Sequence, residues 1–257
     1  MIHCTLRWPL WILLVPLGAC GDGDSPSKVR APGEARTPKT QALEAGTALL
    51  QGKAPLQAMN VYVDGFHFYS GNMKGQMEAH HFCALVNEDV TQCVIFDGNA
   101  NGAKLMGVEY IVSEAVFHTL PAEEKKLWHS HVFEVKSGQL IAPGVPEKAE
   151  REFMEKMVGT YGKTWHTWHT DQALPLPLGH PMLMMGFTAE GQADPAMVAA
   201  RDQRMGVDTA TRKKSRETIP APPIAEGADA WQHGPAMQLS IGPVTQGRPA
   251  AAHPGRK

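Results

Sequence analysis

The sequence has little excess charge of either sign, few cysteines and no motif of a common enzyme class. It carries 24 basic and 26 acidic side chains in 257 residues, a net charge of -2, and four cysteines. Such a balance predicts no nucleic-acid partner. The phosphate-binding loop, the dinucleotide-binding glycine fingerprint and the serine-hydrolase elbow are absent from the sequence. These absences favour a non-enzymatic protein.

The sequence also lacks a hydrophobic run long enough to cross a bilayer as a helix. The apolar stretch from Trp8 to Leu17 has about ten residues, whereas a spanning helix needs roughly twenty. This length is typical of an export signal, predicted here over residues 1–19. The signal ends in Leu17-Gly18-Ala19-Cys20, which resembles the lipobox of bacterial lipoproteins.

We therefore expect Cys20 to carry a diacylglycerol group and to become the acylated N-terminus, so that membrane lipid is a partner of the protein. More than one acyl chain gives stable anchoring, because each buried methylene adds about 0.8 kcal/mol. Gly21 follows the cysteine, where an aspartate would resemble the signal for inner-membrane retention. The expected location is the bacterial outer membrane, with the protein facing the periplasm.

Composition divides the mature chain into three parts. Residues 20–39 are rich in glycine, proline and charge, and predict a lipidated, disordered tether. Residues 40–216 carry the periodic apolar pattern of a single domain, and residues 217–257 form a tail rich in proline, glycine and alanine. Strands are predicted at 77–86, 90–96, 105–112, 131–135 and 182–187, and helices at 40–51, 113–120, 146–161 and 195–216. The predicted fold class is α+β, a mixed or antiparallel sheet with flanking helices.

Two predicted helices carry features with alternative explanations. The helix at 146–161 is amphipathic and is expected to dock on its own sheet, although a helix lying on lipid has the same pattern. The helix at 195–216 ends in a basic cluster from Arg212 to Arg216. This cluster is explained by the helix dipole, with an anionic-lipid patch as the alternative.

Short blocks between residues 44 and 190 resemble a known family. They include GFHFY from Gly65, EAHHFC from Glu78, GVEYI from Gly107, KKLWHSH from Lys125 and YGKTWHTW from Tyr161. Together these blocks resemble the oil-body-associated protein family. The resemblance implies association with a lipid surface and no established reaction. Two features depart from the plant pattern: the export signal with its lipidated cysteine, and His169 at a position where glutamine is expected.

Cys83 and Cys93 remain after the signal is removed, and the periplasm is oxidising. They can pair as a disulfide across adjacent strands, or they can be small buried hydrophobic residues. A nucleophilic role for Cys83 would need a depressed thiol pKa and an exposed pocket, for which the sequence has no sign.

Histidine is abundant: twelve are present, and nine lie between His67 and His180. On a strand at 77–86, His81 shares a face with Cys83 while His80 shares the other with Glu78. Imidazole and thiolate bind Zn, Cu or Ni. The candidate ligands for such a transition metal are His80, His81, Cys83, His129, His131 and His166. The alternative is that these histidines are hydrogen-bonded core or rim residues stacked beside tryptophans.

Two familiar metal motifs are rejected on spacing. His129 and His131 followed by Glu134 resemble a cupin motif, but on a regular strand Glu134 points away unless a bulge intervenes. Residues 97–102 match the first half of a calcium-binding loop, but Glu109 comes one residue too late to be its bidentate ligand. A polar hairpin turn is predicted there instead.

Two functions follow from these observations. The first is a membrane-anchored lipoprotein that is non-enzymatic and binds a lipid surface or a ligand. The alternative is a periplasmic, histidine-rich metal-binding protein or metalloenzyme.

Overall fold

A computed structural model describes residues 23–243. The predicted signal at 1–19 and the predicted lipid acceptor Cys20 lie outside the described residues. Seven strands form one sheet: β1 Val61–Tyr69, β2 Asn72–Leu85, β3 Val90–Phe96, β4 Leu105–Ser113, β5 His129–Ser130, β6 Thr160–His166 and β7 Met182–Met185. All pairings are antiparallel, in the order β4-β3-β2-β1-β7-β6-β5. A further pairing of β4 with β6 closes six of the strands into a barrel.

Eight α-helices flank the barrel in the described part of the chain. They are α1 Pro38–Leu50, α2 Ala54–Gln57, α3 Glu114–His118, α4 Ala122–Lys125, α5 Val132–Lys136, α6 Glu147–Met157, α7 Pro195–Met205 and α8 Thr209–Ser215. Within residues 23–243, no helix combines the length and the apolar character needed to span a bilayer. The predicted α+β class, an antiparallel sheet with flanking helices, is confirmed.

Alternation along the strands decides which side chains enter the barrel. Val63 lies opposite His81, Cys83 lies opposite Cys93, and Cys93 lies opposite Glu109. Directly opposed residues share one face of an antiparallel sheet, and residues two apart on a strand share the same face. All five side chains therefore point into the barrel. A polar group there is destabilising unless a hydrogen-bond partner replaces its lost hydration.

Helix α6 closes one end of the barrel. Met154 on this helix and Val158, its C-cap residue, are buried against apolar side chains from the strands. Glu150 on the same helix is buried and pairs with Arg212 and Arg216. The amphipathic helix is thus docked on its own sheet, and two members of the basic cluster are explained by a buried carboxylate.

Some predicted elements differ from those in the structure. Strands β1 and β6 were not predicted, because buried polar residues and glycines break their apolar alternation. The predicted strand at 131–135 is wrong: these residues belong mostly to helix α5. The predicted helix at 195–216 is interrupted at Gly206, whose φ of 63° ends α7 before α8 begins.

The segments on either side of the predicted domain contact it. Ser27 Oγ donates to Asp97 at 2.7 Å, and the Ser25 backbone N donates to Asn99 at 2.6 Å, so part of the predicted tether contacts the β3–β4 turn. On the C-terminal side Ile219 is buried in the core, and Asp229 accepts hydrogen bonds from Ser130. The first part of the predicted tail at 217–257 therefore packs on the barrel.

Candidate metal centre

The barrel interior holds one carboxylate surrounded by imidazoles. Glu109 on β4 is 2% exposed. Its Oε2 lies 2.9 Å from His81 Nε2 and 3.9 Å from His67 Nε2. Its Oε1 lies 3.2 Å from His131 Nε2 and 3.6 Å from His129 Nε2. Each carboxylate oxygen therefore faces two imidazole nitrogens.

These residues come from separate parts of the chain, and barrel closure brings them together. His67 lies on β1, His81 on β2, His129 on β5 and His166 on β6. His67 Nδ1 is 3.3 Å from His166 Nε2, which adds a fifth imidazole to the cluster. Glu109 reaches His81 across the interior even though β3 separates their strands.

Hydrogen bonds at the far side of two rings fix their tautomers. His81 Nδ1 is 3.0 Å from the carbonyl oxygen of Ala79, which only accepts, so this nitrogen donates. His131 Nδ1 is 2.7 Å from Thr160 Oγ1, whose own proton goes to the Met157 carbonyl. In the neutral form, both rings then present an Nε2 lone pair to Glu109. A carboxylate oxygen and a lone pair at this separation need a cation between them, a proton or a metal.

Several buried polar atoms around the carboxylate have no hydrogen-bond partner. Among residues 23–243 these include both ring nitrogens of His129, Nδ1 of His166 and Oε2 of Glu134. Buried polar atoms of this kind are rare because their lost hydration is not replaced. His129 Nε2 is 3.9 Å from Glu134 Oε2, so these free atoms lie beside the same cluster.

The protonation states suit a metal ion. Burial lowers the pKa of His129 and of His166 to about 3, and lowers the pKa of His67 well below its ordinary value. Burial opposes the ionisation of Glu109, but hydrogen bonds with His131 and His81 hold its pKa well below the usual range. Neutral imidazoles with a carboxylate are donors that Zn, Cu and Ni accept.

Burial and the neighbouring Glu109 charge raise the pKa of Glu134 well above its ordinary value. Of the two interior carboxyl groups, the ionised form is favoured for Glu109 and the protonated form for Glu134. Only the first is a ready ligand, because a metal-bound carboxylate must be deprotonated.

Two glycines make room for the cluster. A Cβ at Gly162 on β6 would clash with Glu109 Oε1 and lie 2.8 Å from His129 Nε2. A Cβ at Gly186 would lie 2.8 Å from Glu134 Oε2 and 3.1 Å from the His129 ring. Distances under 3.0 Å are not tolerated without a shift of one partner, so larger residues at either position would displace the cluster.

The structure brings together four of the six predicted ligands: His81, His129, His131 and His166. His80 points to the outer face, 3.1 Å from Asp64 and 3.4 Å from Glu78. Cys83 is bonded to Cys93 in a disulfide and supplies no thiolate. Contrary to the prediction, His80 and Cys83 are therefore not ligands in this cluster.

Sequence reasoning missed His67 and Glu109 as members of the cluster. Glu109 alternates with Gly107 and Ile111 on a predicted strand, so a single acidic residue on the apolar face was the available signal. Glu134 was rejected because a strand would turn it away; it reaches the cluster because residues 132–136 are helical. His169 lies apart, with Nδ1 3.2 Å from Tyr69 Oη.

Residues 97–102, which resemble half of a calcium-binding loop, lie between β3 and β4. These two strands pair with each other as a hairpin, and helices do not flank the loop. A polar hairpin turn was predicted here, and the structure has one.

Comparisons with known proteins place the chain in a family. A family model described as "Protein of unknown function (DUF1264)" matches residues 53–220, and Oil body-associated protein 1A of Zea mays is 48% identical over 194 residues. The chain belongs to the oil body-associated protein family. That alignment covers 76% of this chain and 82% of the maize protein.

Further relatives extend the match. Oil body-associated protein 1B of Arabidopsis thaliana is 41% identical over 218 residues, which is 83% of this chain and 90% of that protein. Oil body-associated protein 2C of Arabidopsis thaliana is 37% identical over 223 residues, 85% of this chain and 94% of that protein. No solved structure matches the chain. All residues of the histidine–glutamate cluster lie within the family match.

Proposed function

We propose that this oil body-associated family member binds a transition metal ion inside its barrel, through Glu109 and the two histidines beside one of its oxygens, either His67 and His81 or His129 and His131. The observation that carries this proposal is the pair of Nε2 atoms, 2.9 and 3.2 Å from the two oxygens of one buried carboxylate. Their Nδ1 atoms are already engaged as donors. Ring nitrogens oriented in this way are typical of metal-ligating histidines.

The spacing of the donors within each set suits one ion. Two ligands at 2.0–2.1 Å from a tetrahedral zinc lie roughly 3.3–3.4 Å apart. The four nitrogen–oxygen separations around Glu109 run from 2.9 to 3.9 Å and bracket that value. The cavity beside these residues has a volume of about 10 Å³, room for roughly one water-sized sphere. Because every donor is nitrogen or oxygen, Zn(II), Cu(II) and Ni(II) are preferred over soft Cu(I).

Elemental analysis of the purified mature chain, made without a histidine tag, tests the proposal. We expect close to one equivalent of a transition metal, either as purified or after reconstitution with zinc. Glu109→Gln keeps the side-chain shape but removes the anion, and should reduce the metal content at least ten-fold. Glu114→Gln, at a partly exposed helix position, is the matched control. Less than about a tenth of an equivalent in the reconstituted parent chain would refute metal binding.

We further propose that the protein is a lipoprotein at the periplasmic side of the outer membrane, anchored through acyl chains on Cys20. The lipobox-like sequence ending at Cys20 supports this location. The relatives are named for oil bodies, and an association of this protein with a lipid surface is a proposal by analogy with them. In this setting the proposed metal barrel sits beside a bilayer, and no chemical reaction is assigned to it.

Cell fractionation tests the anchor. Cys20→Ser should move the protein from the membrane fraction to the soluble fraction, because the acyl acceptor is gone. Cys4→Ser removes the one cysteine of the predicted signal at 1–19 and should leave the protein in the membrane fraction. Mass spectrometry of the mature N-terminus should find the diacylglycerol adduct on Cys20; unchanged partitioning of the Cys20 variant would refute the anchor.

A further inference from the structure

An apolar cleft opens beside the barrel end that α6 covers. Its volume is about 230 Å³, and its walls include Val61, Phe153 and Met157. Leu85 also lines it and is 59% exposed at the surface. The next residue, Val86, is 57% exposed. Exposed apolar side chains grouped beside an apolar cleft are a feature of ligand-binding sites.

The inner end of the cleft adjoins the proposed metal centre. Val63, Ile111 and Met157 line both the cleft and the small cavity that holds His81 and Glu109. One shared wall therefore separates an apolar entrance from the buried histidine–glutamate cluster. A molecule that fills the cleft would have its inner end beside that cluster.

The rim indicates the charge of the ligand. Lys156 stands at the opening together with Glu88 and Asp89, so the rim presents both signs. Asp89 accepts a hydrogen bond of 2.7 Å from Ser113 Oγ, which engages part of its charge. Further inward the walls are apolar, and an ionic group entering there would lose hydration without a partner. These features favour an uncharged ligand.

We propose that this cleft binds a neutral, unbranched aliphatic molecule, such as a primary alcohol of medium length. Its chain would lie along Phe153 and Met157, with the inner end next to the metal centre. The cleft volume of about 230 Å³ limits the length of the bound chain. The shape of the cleft does not depend on a bound metal. Only the contact between the aliphatic chain and the metal ion rests on the proposed function.

Calorimetric titration of the mature chain with straight-chain alcohols from butanol to decanol tests the cleft. Each added methylene should tighten binding about four-fold, and the gain should stop within the series, once the chain fills the cleft. Octanoate and octylamine should bind at least ten-fold more weakly than octanol, because each brings a charge into an apolar cleft. A series without a gain per methylene would overturn the proposal, and so would equal binding of the charged analogues.

Variants at the shared wall locate the binding site. Met157→Trp narrows the cleft at its junction with the metal cavity, and should weaken octanol binding at least ten-fold. Leu105→Trp places the same bulky residue at an exposed strand position and should leave octanol binding unchanged. Met157→Ala widens the junction and should move the optimum to a longer chain, which keeps the test valid if the tryptophan variant fails to fold. Unchanged chain-length profiles in both Met157 variants would overturn the assignment.

Cobalt(II)-loaded protein distinguishes alcohol binding in the cleft from metal binding in the barrel. In cobalt-loaded protein, octanol should shift the visible absorption bands of the ion, because the chain ends beside it. Bands that stay fixed while octanol saturates the cleft would overturn the adjacency of chain and metal. If the protein takes up no metal but binds the alcohols with the expected gain per methylene, the proposed function fails and the cleft assignment is supported.

Discussion

Cys93 on β3 lies directly opposite Glu109 on β4 in the strand register. The disulfide from Cys93 to Cys83 therefore ties the strand next to the carboxylate to the strand that carries His81. The cross-link joins the adjacent strands β2 and β3 beside the cluster without contributing a ligand. It connects the stability of the barrel to the geometry of the proposed metal centre.

Replacing both cysteines by alanine should lower the free energy of unfolding by about 3 kcal/mol. This value is expected for a closed loop of roughly eleven residues, because the cross-link restricts the unfolded chain. Urea unfolding of the oxidised parent and of the Cys83→Ala/Cys93→Ala variant measures the difference. Adding a reductant should destabilise the parent by a similar amount and leave the variant unchanged; equal stability of oxidised parent and variant would contradict the prediction.

Gly162→Ala should disturb the cluster from the opposite wall. The new Cβ would clash with Glu109 Oε1 and crowd His129 Nε2 at 2.8 Å. We expect a loss of about 1–3 kcal/mol in stability and at least a ten-fold loss of zinc affinity, measured by competition with a chromophoric chelator. Gly46→Ala adds a Cβ where no atom lies within 4 Å and is the matched control. Zinc affinity that survives Gly162→Ala unchanged would contradict this placement of the site.

The outer wall of the barrel depends on a buried ion pair. Arg201 on α7 contacts Asp64 on β1 at 2.8 Å, and both side chains are fully buried. Its guanidinium also lies 4.8 Å from the Phe66 ring centroid. Arg201→Met should cost about 3–5 kcal/mol, because it removes the guanidinium partner of the buried Asp64 carboxyl group.

The matched control is Lys213→Met, which breaks the exposed ion pair with Glu190. Such surface pairs contribute about 0–1 kcal/mol. Thermal and urea unfolding should therefore separate the two variants by several kcal/mol. Similar stabilities for Arg201→Met and Lys213→Met would show that the pair on α7 does not hold the helix to the barrel.

Local sequence patterns were sufficient for the fold class and for most strand positions. The prediction failed at β1, because its buried residues include Asp64 on the outer face and His67 on the inner face, so its alternation does not follow hydrophobicity. It failed again at residues 132–136, where a β-rich composition is overridden by a helical turn that carries Glu134 inward. Hydrophobic periodicity predicts the buried face of an element from neighbouring residues alone. In the folded protein, tertiary contacts decide which face is buried.

The candidate site shows the same limit. His81 and Cys83 could be placed on one strand face from their spacing, since side chains alternate every residue. Closure of β4 onto β6 depends on pairings between residues 47 to 59 positions apart, and His166 lies close to His67 only in the folded barrel. No local pattern encodes that pairing, so Glu109 and His67 were not recognised as partners of the predicted histidines.

Metal addition should stabilise the metal-free protein in proportion to occupancy. At a free zinc concentration one hundred times the Kd, linkage predicts a gain of about 2.7 kcal/mol in the free energy of unfolding. For a domain of this size that gain corresponds to an increase in Tm of roughly 5–10 °C, reversed by EDTA. Glu109→Gln should show no such increase, because the central anionic donor is lost. Calcium should have no effect, since the loop from Asp97 is a hairpin turn without a bidentate glutamate at the required position. Stabilisation by calcium, or by zinc in the Glu109 variant, would place the ion elsewhere in the protein.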